Sequence, residues 1–503
     1  MTDNYDVIVI GAGNAAMSAA HAALDNGARV CIVEKAPRED RGGNSMFTGH
    51  MRFAYENLDE LFAVMRPDTL TDEVRQRFAE RLPRKSQDSL WDDIMDVTEG
   101  LTDPDMLKVH VEESYNTIAW LHSKGHNFAP SGDAPTGDGN LTRIDGGGEA
   151  LQERNFAYME DHAEVTILYG TAATKLLQDN TGRVTGVQVF SETGFQEITG
   201  GAVVLAAGGF EANAEMRARY LGKNWDSVHI RGVHYNTGDG LRMALEIGAQ
   251  PFGGWSSAHA APVDFGIPTS TSLSAKRRPD AKWMRTSGQS RYVYPYAIMV
   301  NMEGKRFIDE AKSTRDQTYA SIGRAVLDQP GGTAFQIIDA KVREKDLVPP
   351  RYEGASGCKA DTLEKLAEKM DIDVEAFVAT VAEYNAAVPT DRQAVPSAYA
   401  VDGVGTTGIT PPKSNYAMTI DQGPFEAFQV RCGLTFTFGG LRIEPESAQV
   451  QHVAGRPIPG LFAAGELVGG LFYWNYPSGS GLMAGATFGR IAGDSASKFA
   501  TGR

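Results

Sequence analysis

The stretch YDVIVIGAGNAAMSAAHAALDNGARVCIVEK, residues 5–35, decides the fold. Val7–Ile10 is an unbroken apolar run, as expected of a parallel strand covered on both faces. Gly11, Gly13 and Ala16 follow as G-x-G-x-x-A and open a helical pattern of small residues. Gly11 permits a tight turn. Gly13 lets the backbone approach a pyrophosphate at the positive helix N-terminus, and Ala16 lets helix and strand pack closely. A second apolar strand ends at Glu34, 21 residues after Gly13, near the ~20 expected for an acid that holds a ribose hydroxyl. Strand, turn, helix, strand and acid in this register predict a dinucleotide-binding unit. Asn14, Ala15 and Lys35 are expected beside the cofactor.

Two further stretches favour FAD over NAD. RGGNSMFTG, residues 41–49, places Gly42, Gly43, Asn44 and Ser45 where a second backbone approach to phosphate and ribityl is needed. AAGE, residues 463–466, ends a late apolar strand, where Gly465 and Glu466 could meet the ribityl chain. No second G-x-G-x-x-G follows a strand, so a separate NAD(P)H domain is not expected.

Length and composition bound the remaining classes. A chain of 503 residues predicts two domains. With 42% apolar and 22% charged residues it reads as an ordinary globular protein. No run reaches the ~20 apolar residues of a membrane span, and the N-terminus shows no basic n-region. Cys31, Cys358 and Cys432 form no CxxC or CxxCH, which disfavours disulfides, c-type haem and iron–sulfur ligation. No metal site is expected, and a cytoplasmic setting is, peripheral to the membrane at most through a redox partner. The net charge of −16 argues against nucleic acid as a partner. An anionic substrate then needs a local arginine cluster.

Residues 164–207 read as short strands, and 251–414 are richer in Pro, Ser and aromatic residues. The expected class is α/β: a Rossmann-type FAD-binding domain (1–250 and 415–503) with an inserted α+β substrate-capping domain (251–414).

The stretches APREDRGGNSMFT, LAAGGFEAN, YNTGDGL, SRYVYPYAIMVNMEGKRFIDE, RDQTYA and AAGELVGGLFYWNYPSGSG resemble the flavoprotein family of fumarate reductases, succinate dehydrogenases and 3-ketosteroid dehydrogenases. Within it they look most like the tricarballylate dehydrogenases. The resemblance implies FAD and chemistry at a C–C bond next to a carbonyl or carboxylate. It extends the expected cofactor contacts to Ala172, Ala173, Ala207, Gly208, Gly209, Asp239, Ser480, Gly481 and Leu482. Succinate dehydrogenases attach flavin through a histidine after the Gly-Gly. Here Asn44, Ser45 and Met46 stand there, which implies non-covalent FAD.

GKRFIDEAKSTRDQTYA, residues 304–320, taken alone is a solvated charge run. The resemblance implies that Arg315 is catalytic, with Asp316 beside it. Arg315 is either a base served by a proton relay or an electrostatic stabiliser of an enediolate. Carboxylate-binding candidates are Arg143, Arg291 and His259, with Arg285 in the basic run less favoured. His259 could equally be an ordinary hydrogen-bonded histidine. Two donors of the fumarate reductase pattern are absent: Phe436 replaces a histidine and Tyr476 an arginine. Tyr476 instead matches the Y-P-G-rich stretch by which ketosteroid dehydrogenases bond a ketone oxygen.

Together these features predict an FAD-dependent dehydrogenase that forms a C=C bond next to a carboxylate. Tricarballylate going to cis-aconitate, or a related polycarboxylate, is the expected substrate. The alternatives are an enoate (fumarate-type) reductase and a ketone or ketosteroid-type dehydrogenase. Electrons are expected to leave through a separate, membrane-associated electron-transfer protein.

Overall fold

In chain order, the elements that place the site are β1 (Asn4–Ile10), α1 (Asn14–Asp25), β2 (Val30–Val33), α2 (Pro104–Ser123), β3 (Val165–Leu168), β4 (Gly194–Leu205), β5 (Pro251–Asp264), α3 (Arg315–Leu327), β6 (Thr333–Ile338), β7 (Phe425–Leu441), β8 (Arg456–Ala463) and α4 (Ser480–Thr501). The computed structural model describes residues 4–81, 85–130, 142–267, 289–397 and 400–502. The basic run at 276–285, with Arg285, lies outside the described residues.

The first sheet forms as the apolar runs predict. β1 lies between β2 and β4 and is parallel to both. β3 continues the parallel sheet beyond β2, and β8 continues it beyond β4. Val7, Ile8 and Val9 are fully buried, which accounts for their lack of polar alternation. At the end of β1 the chain turns through Gly11 at φ 104°. A Cβ there would sit 2.4 Å from the Ala206 carbonyl oxygen, so only glycine fits.

The C-terminal helix is part of this domain and not a frayed end. α4 packs on α1 through Gly485, Gly489 and Gly493, one residue per turn of one face. A Cβ on Gly493 would lie 2.1 Å from the Ala19 carbonyl oxygen, and one on Gly489 2.5 Å from that of Ala15. The small residues set the distance between the two axes. They also bring the N-termini of α1 and α4 together, where Asn14 Nδ2 donates to the Leu482 carbonyl at 2.8 Å. α2 starts as its sequence implies: Asp103 Oδ1 accepts the Asp105 and Met106 amides at 3.0 Å.

A second, mainly antiparallel sheet is built on β7, which pairs with β5 and β6. Ile298–Val300 pairs with β6, and Gly357–Ala360 with β7. This sheet therefore reaches past residue 414, because its long strand is Phe425–Leu441. Its register sets His259 opposite Phe436. α3 lies against β5, where a Cβ on Gly323 would meet the Ala260 carbonyl carbon at 2.6 Å. The mixed α/β class expected from the sequence is the class observed.

Candidate active site

One cavity of about 520 Å³ runs from the C-terminal end of β1 to the N-terminus of α3. At its first end, Gly13 and Gly43 face each other. A Cβ on Gly13 would meet nothing nearer than Ser45 Oγ at 3.6 Å, so the wall is open to a ligand there. Ser45 Oγ accepts the Asn14 amide at 3.0 Å. Asn14 Oδ1 and Ser480 Oγ, at the starts of the two helices, are buried without a partner. Glu34 Oε1 accepts the Ala36 amide at 2.7 Å, and Lys35 pairs with Asp239 at 2.7 Å. Burial pushes the Glu34 carboxyl up, against the pull of the Ala36 and Ala12 amides. Two positive helix ends, open glycine walls and an acid suit a dinucleotide with its pyrophosphate between the helices.

Of the expected cofactor residues, Gly11, Gly13, Asn14, Ala15, Glu34, Lys35, Gly43, Asn44 and Ser45 line the cavity. So do Ala173, Ala207, Gly208, Asp239, Gly465, Glu466, Gly481 and Leu482. Ala16, Gly42, Ala172, Gly209 and Ser480 are not on its wall. Gly209 serves a close approach instead, since a Cβ there would lie 2.2 Å from Glu466 Oε1.

At the other end, Arg315, Asp316 and Tyr319 stand on the first turns of α3, and Tyr476 on the loop before α4. The loop is tied to the helix. Asn475 Nδ2 donates to the Gln317 carbonyl at 2.6 Å, and the Ser478 amide to the Asp316 carbonyl at 2.9 Å. Beneath it, the buried Arg52 donates Nε to the Ser478 carbonyl and pairs with Asp93 at 2.9 Å. Tyr319 donates its hydroxyl to Tyr476 at 3.0 Å. Phe436 stacks on Tyr476 with centroids 6.2 Å apart, and His259 lies 4.8 Å from the Tyr476 ring.

The structure distributes the expected carboxylate binders unevenly. Arg143 and His259 line the cavity. Arg291 does not: its Nε and Nη2 bond Asp264 at 3.0 and 2.9 Å, and both side chains are buried. Its Nη1 donates to the Ser290 and Arg351 carbonyls at 3.2 and 3.3 Å, so every nitrogen of the Arg291 fork is committed within the protein. Arg231 and Arg351 hold cavity positions that sequence reasoning missed. Arg351 lies 5.0 Å from the Tyr292 ring centroid and Arg315 5.5 Å from it. Arg231 Nη1 donates to Thr435 Oγ1 at 3.0 Å. No local motif marks either arginine, whereas Tyr319 lies within the RDQTYA stretch.

The donors of this end are not used up by the protein. Among the described residues, the Nε groups of Arg231, Arg315 and Arg351, the Tyr292 hydroxyl and both ring nitrogens of His259 are buried without a partner. Burial, and next the Arg231 charge, hold His259 neutral, well below the usual imidazole range. Burial works against the Arg315 cation, but the ion-paired Asp316 and the surrounding tyrosines outweigh it, so Arg315 titrates above its ordinary range. Tyr476 is pushed up to about 12 by burial, although the Tyr319 hydrogen bond pulls it down. The site is cationic and lined by the raised phenols of Tyr319 and Tyr476, which suits an anionic substrate beside a redox cofactor.

Fold and cavity define an FAD-binding oxidoreductase. A family model described as "FAD binding domain" matches residues 6–482, and the chain belongs to that family. Over 506 residues it is 29% identical to the fumarate reductase (cytochrome) of Shewanella frigidimarina, covering 99% of this chain and 78% of the relative. It is 32% identical over 359 residues to the 4-oxocyclohexanecarboxylate 2-dehydrogenase of Sinomonas cyclohexanicum, covering 68% of this chain and 58% of the relative. The structure of 3-ketosteroid Δ1-dehydrogenase from Sterolibacterium denitrificans superposes with a TM-score of 0.74 at 21% identity, covering 100% of both chains. That last likeness is one of fold. Among the described residues, no helix is long and apolar enough to cross a membrane.

Proposed function

We propose that this protein is an FAD-dependent dehydrogenase forming a C=C bond next to a carboxylate, on a polycarboxylate of the tricarballylate type. The observation that carries this is the set of three buried, unpartnered guanidinium Nε groups, of Arg231, Arg315 and Arg351, on one cavity. A guanidinium fork pairs with a carboxylate bidentately. A neutral substrate would leave each such donor unsatisfied, at about 1–3 kcal/mol apiece. With Arg143 on the same wall, these arginines give the cavity enough guanidinium groups for a polycarboxylate.

FAD, when bound, supplies the two-electron acceptor. Arg315, held cationic by Asp316, stabilises the charge that develops on the carboxylate beside the reacting carbon. This geometry favours the electrostatic role over the base role. Tyr476 accepts from Tyr319 and keeps its own proton for a substrate oxygen. The second sheet and α3 serve as the cap that excludes water. FAD is held without a covalent bond, and electrons pass on to a separate, membrane-associated electron-transfer protein.

A second reading is favoured by the Tyr319–Tyr476 hydrogen bond together with the Sinomonas relative. It is a dehydrogenase of an oxo acid, with the ketone at Tyr476 and the carboxylate at the arginines.

Anaerobic mixing of the holoenzyme with tricarballylate, succinate, 4-oxocyclohexanecarboxylate and a neutral cyclic ketone separates these readings. Flavin bleaching by tricarballylate supports the first, and bleaching by the oxo acid alone supports the second. Bleaching by the neutral ketone and by no acid sinks both. Flavin that stays in the acid-precipitated pellet refutes non-covalent binding.

A further inference from the structure

Glu211 follows β4 and Glu466 follows β8, so two neighbouring parallel strands deliver two carboxyl groups to one place. Both side chains are buried and neighbouring: Thr437 Oγ1 accepts the Phe210 amide, next to Glu211, and donates to Glu466. Glu466 Oε1 accepts the Thr437 amide at 2.7 Å and the Thr437 hydroxyl at 3.1 Å. Glu211 Oε1 accepts the side-chain amides of Asn44, at 2.6 Å, and Asn236. Among the described residues, Glu211 Oε2 is buried without a hydrogen-bond partner. A proton held between the two acids would satisfy that oxygen. Asn44, Asn236 and Glu466 all line the cavity.

Among the described residues, no cationic side chain bonds either carboxyl of the pair. Arg217 gives its Nη1 to the main-chain carbonyl of Glu211 at 2.6 Å, its Nε to that of Trp225 at 2.7 Å, and its Nη2 to that of Asp226. Arg231 is bonded to Thr435. Two carboxylates in contact away from water cannot both ionise. Burial and the neighbouring Glu211 keep Glu466 in its protonated form, and the two acids titrate as a unit.

We propose that Glu211 and Glu466 share one proton in the oxidised enzyme and take up a second when the bound flavin is reduced, offsetting the charge that enters the cavity. Reduction brings two electrons and one proton to the cofactor. The additional proton comes from solvent and binds the ionised carboxylate of the pair, so charge and mass balance. This inference rests on FAD binding and not on the substrate reading, because chemical reduction of the flavin suffices to drive it.

The test uses the FAD-loaded enzyme and dithionite. Reduced-minus-oxidised infrared spectra of the wild type are expected to gain a protonated-carboxyl C=O band that shifts in D2O. The pH dependence of the flavin midpoint potential is expected to report about two protons per electron pair. In Glu211→Gln/Glu466→Gln the band is lost and the uptake falls to about one proton. A wild type with no gain in the carboxyl band overturns the proposal whether or not the double variant retains flavin. An unchanged proton count in a flavin-loaded double variant overturns it as well.

Discussion

Replacing Arg315 separates catalysis from folding. Its guanidinium pairs with Asp316, and both side chains are shielded from water, with 15% and 1% of their surfaces exposed. Arg315→Ala takes the guanidinium from a buried carboxylate, and breaking such a pair costs about 3–5 kcal/mol of stability. On the proposed function it also removes a preorganised donor from the reacting carboxylate, expected to slow flavin reduction roughly 10²–10³-fold. Arg315→Ala/Asp316→Asn removes the buried charge along with its partner. That double variant should recover most of the stability and none of the rate. Thermal unfolding, followed by release of flavin fluorescence, reads the first quantity. Anaerobic stopped-flow bleaching of flavin by saturating substrate reads the second. If rate returns together with stability in the double variant, the loss was one of folding and Arg315 has no electrostatic role. Full turnover in Arg315→Ala would refute the assignment outright.

Three other outcomes follow from the same coordinates. Arg351→Ala removes a charge-assisted contact worth about 1.5–3 kcal/mol, so steady-state assays should show KM rising roughly 10–100-fold with kcat less affected. Gly493→Ala would gain up to about 1 kcal/mol on an exposed helix. Here its Cβ would strike the Ala19 carbonyl, so a loss of about 1–3 kcal/mol and weaker flavin retention are expected by calorimetry and ultrafiltration. His110 is fully buried in α2 with both ring nitrogens unpartnered, and burial lowers it to about 4. Because the folded value lies below that of the unfolded chain, its share of stability is present above pH ~6.5 and is lost as pH falls toward 4. His110→Leu should therefore flatten the acid limb of a Tm–pH curve, a relative gain of about 2 kcal/mol at pH 5.

The sequence by itself determined the cofactor half. Gly11, Gly13 and Glu34 act through backbone conformation and local spacing, which a linear pattern records. Only the tertiary structure decided the substrate half. Arg291 and Arg351 are both arginines near tyrosines in the chain, and neither neighbourhood marks which one is free. Asp264, from a strand 27 residues earlier, occupies Arg291, while Arg351 stands over the Tyr292 ring at the cavity with its Nε unpartnered among the described residues. The Glu211–Glu466 pair is likewise invisible in the chain, because it exists only where β4 and β8 lie side by side. Charge pairing is a long-range outcome of which strands and loops meet. The sequence predicted that an anionic substrate would need an arginine cluster, and the fold decided which arginines line the cavity.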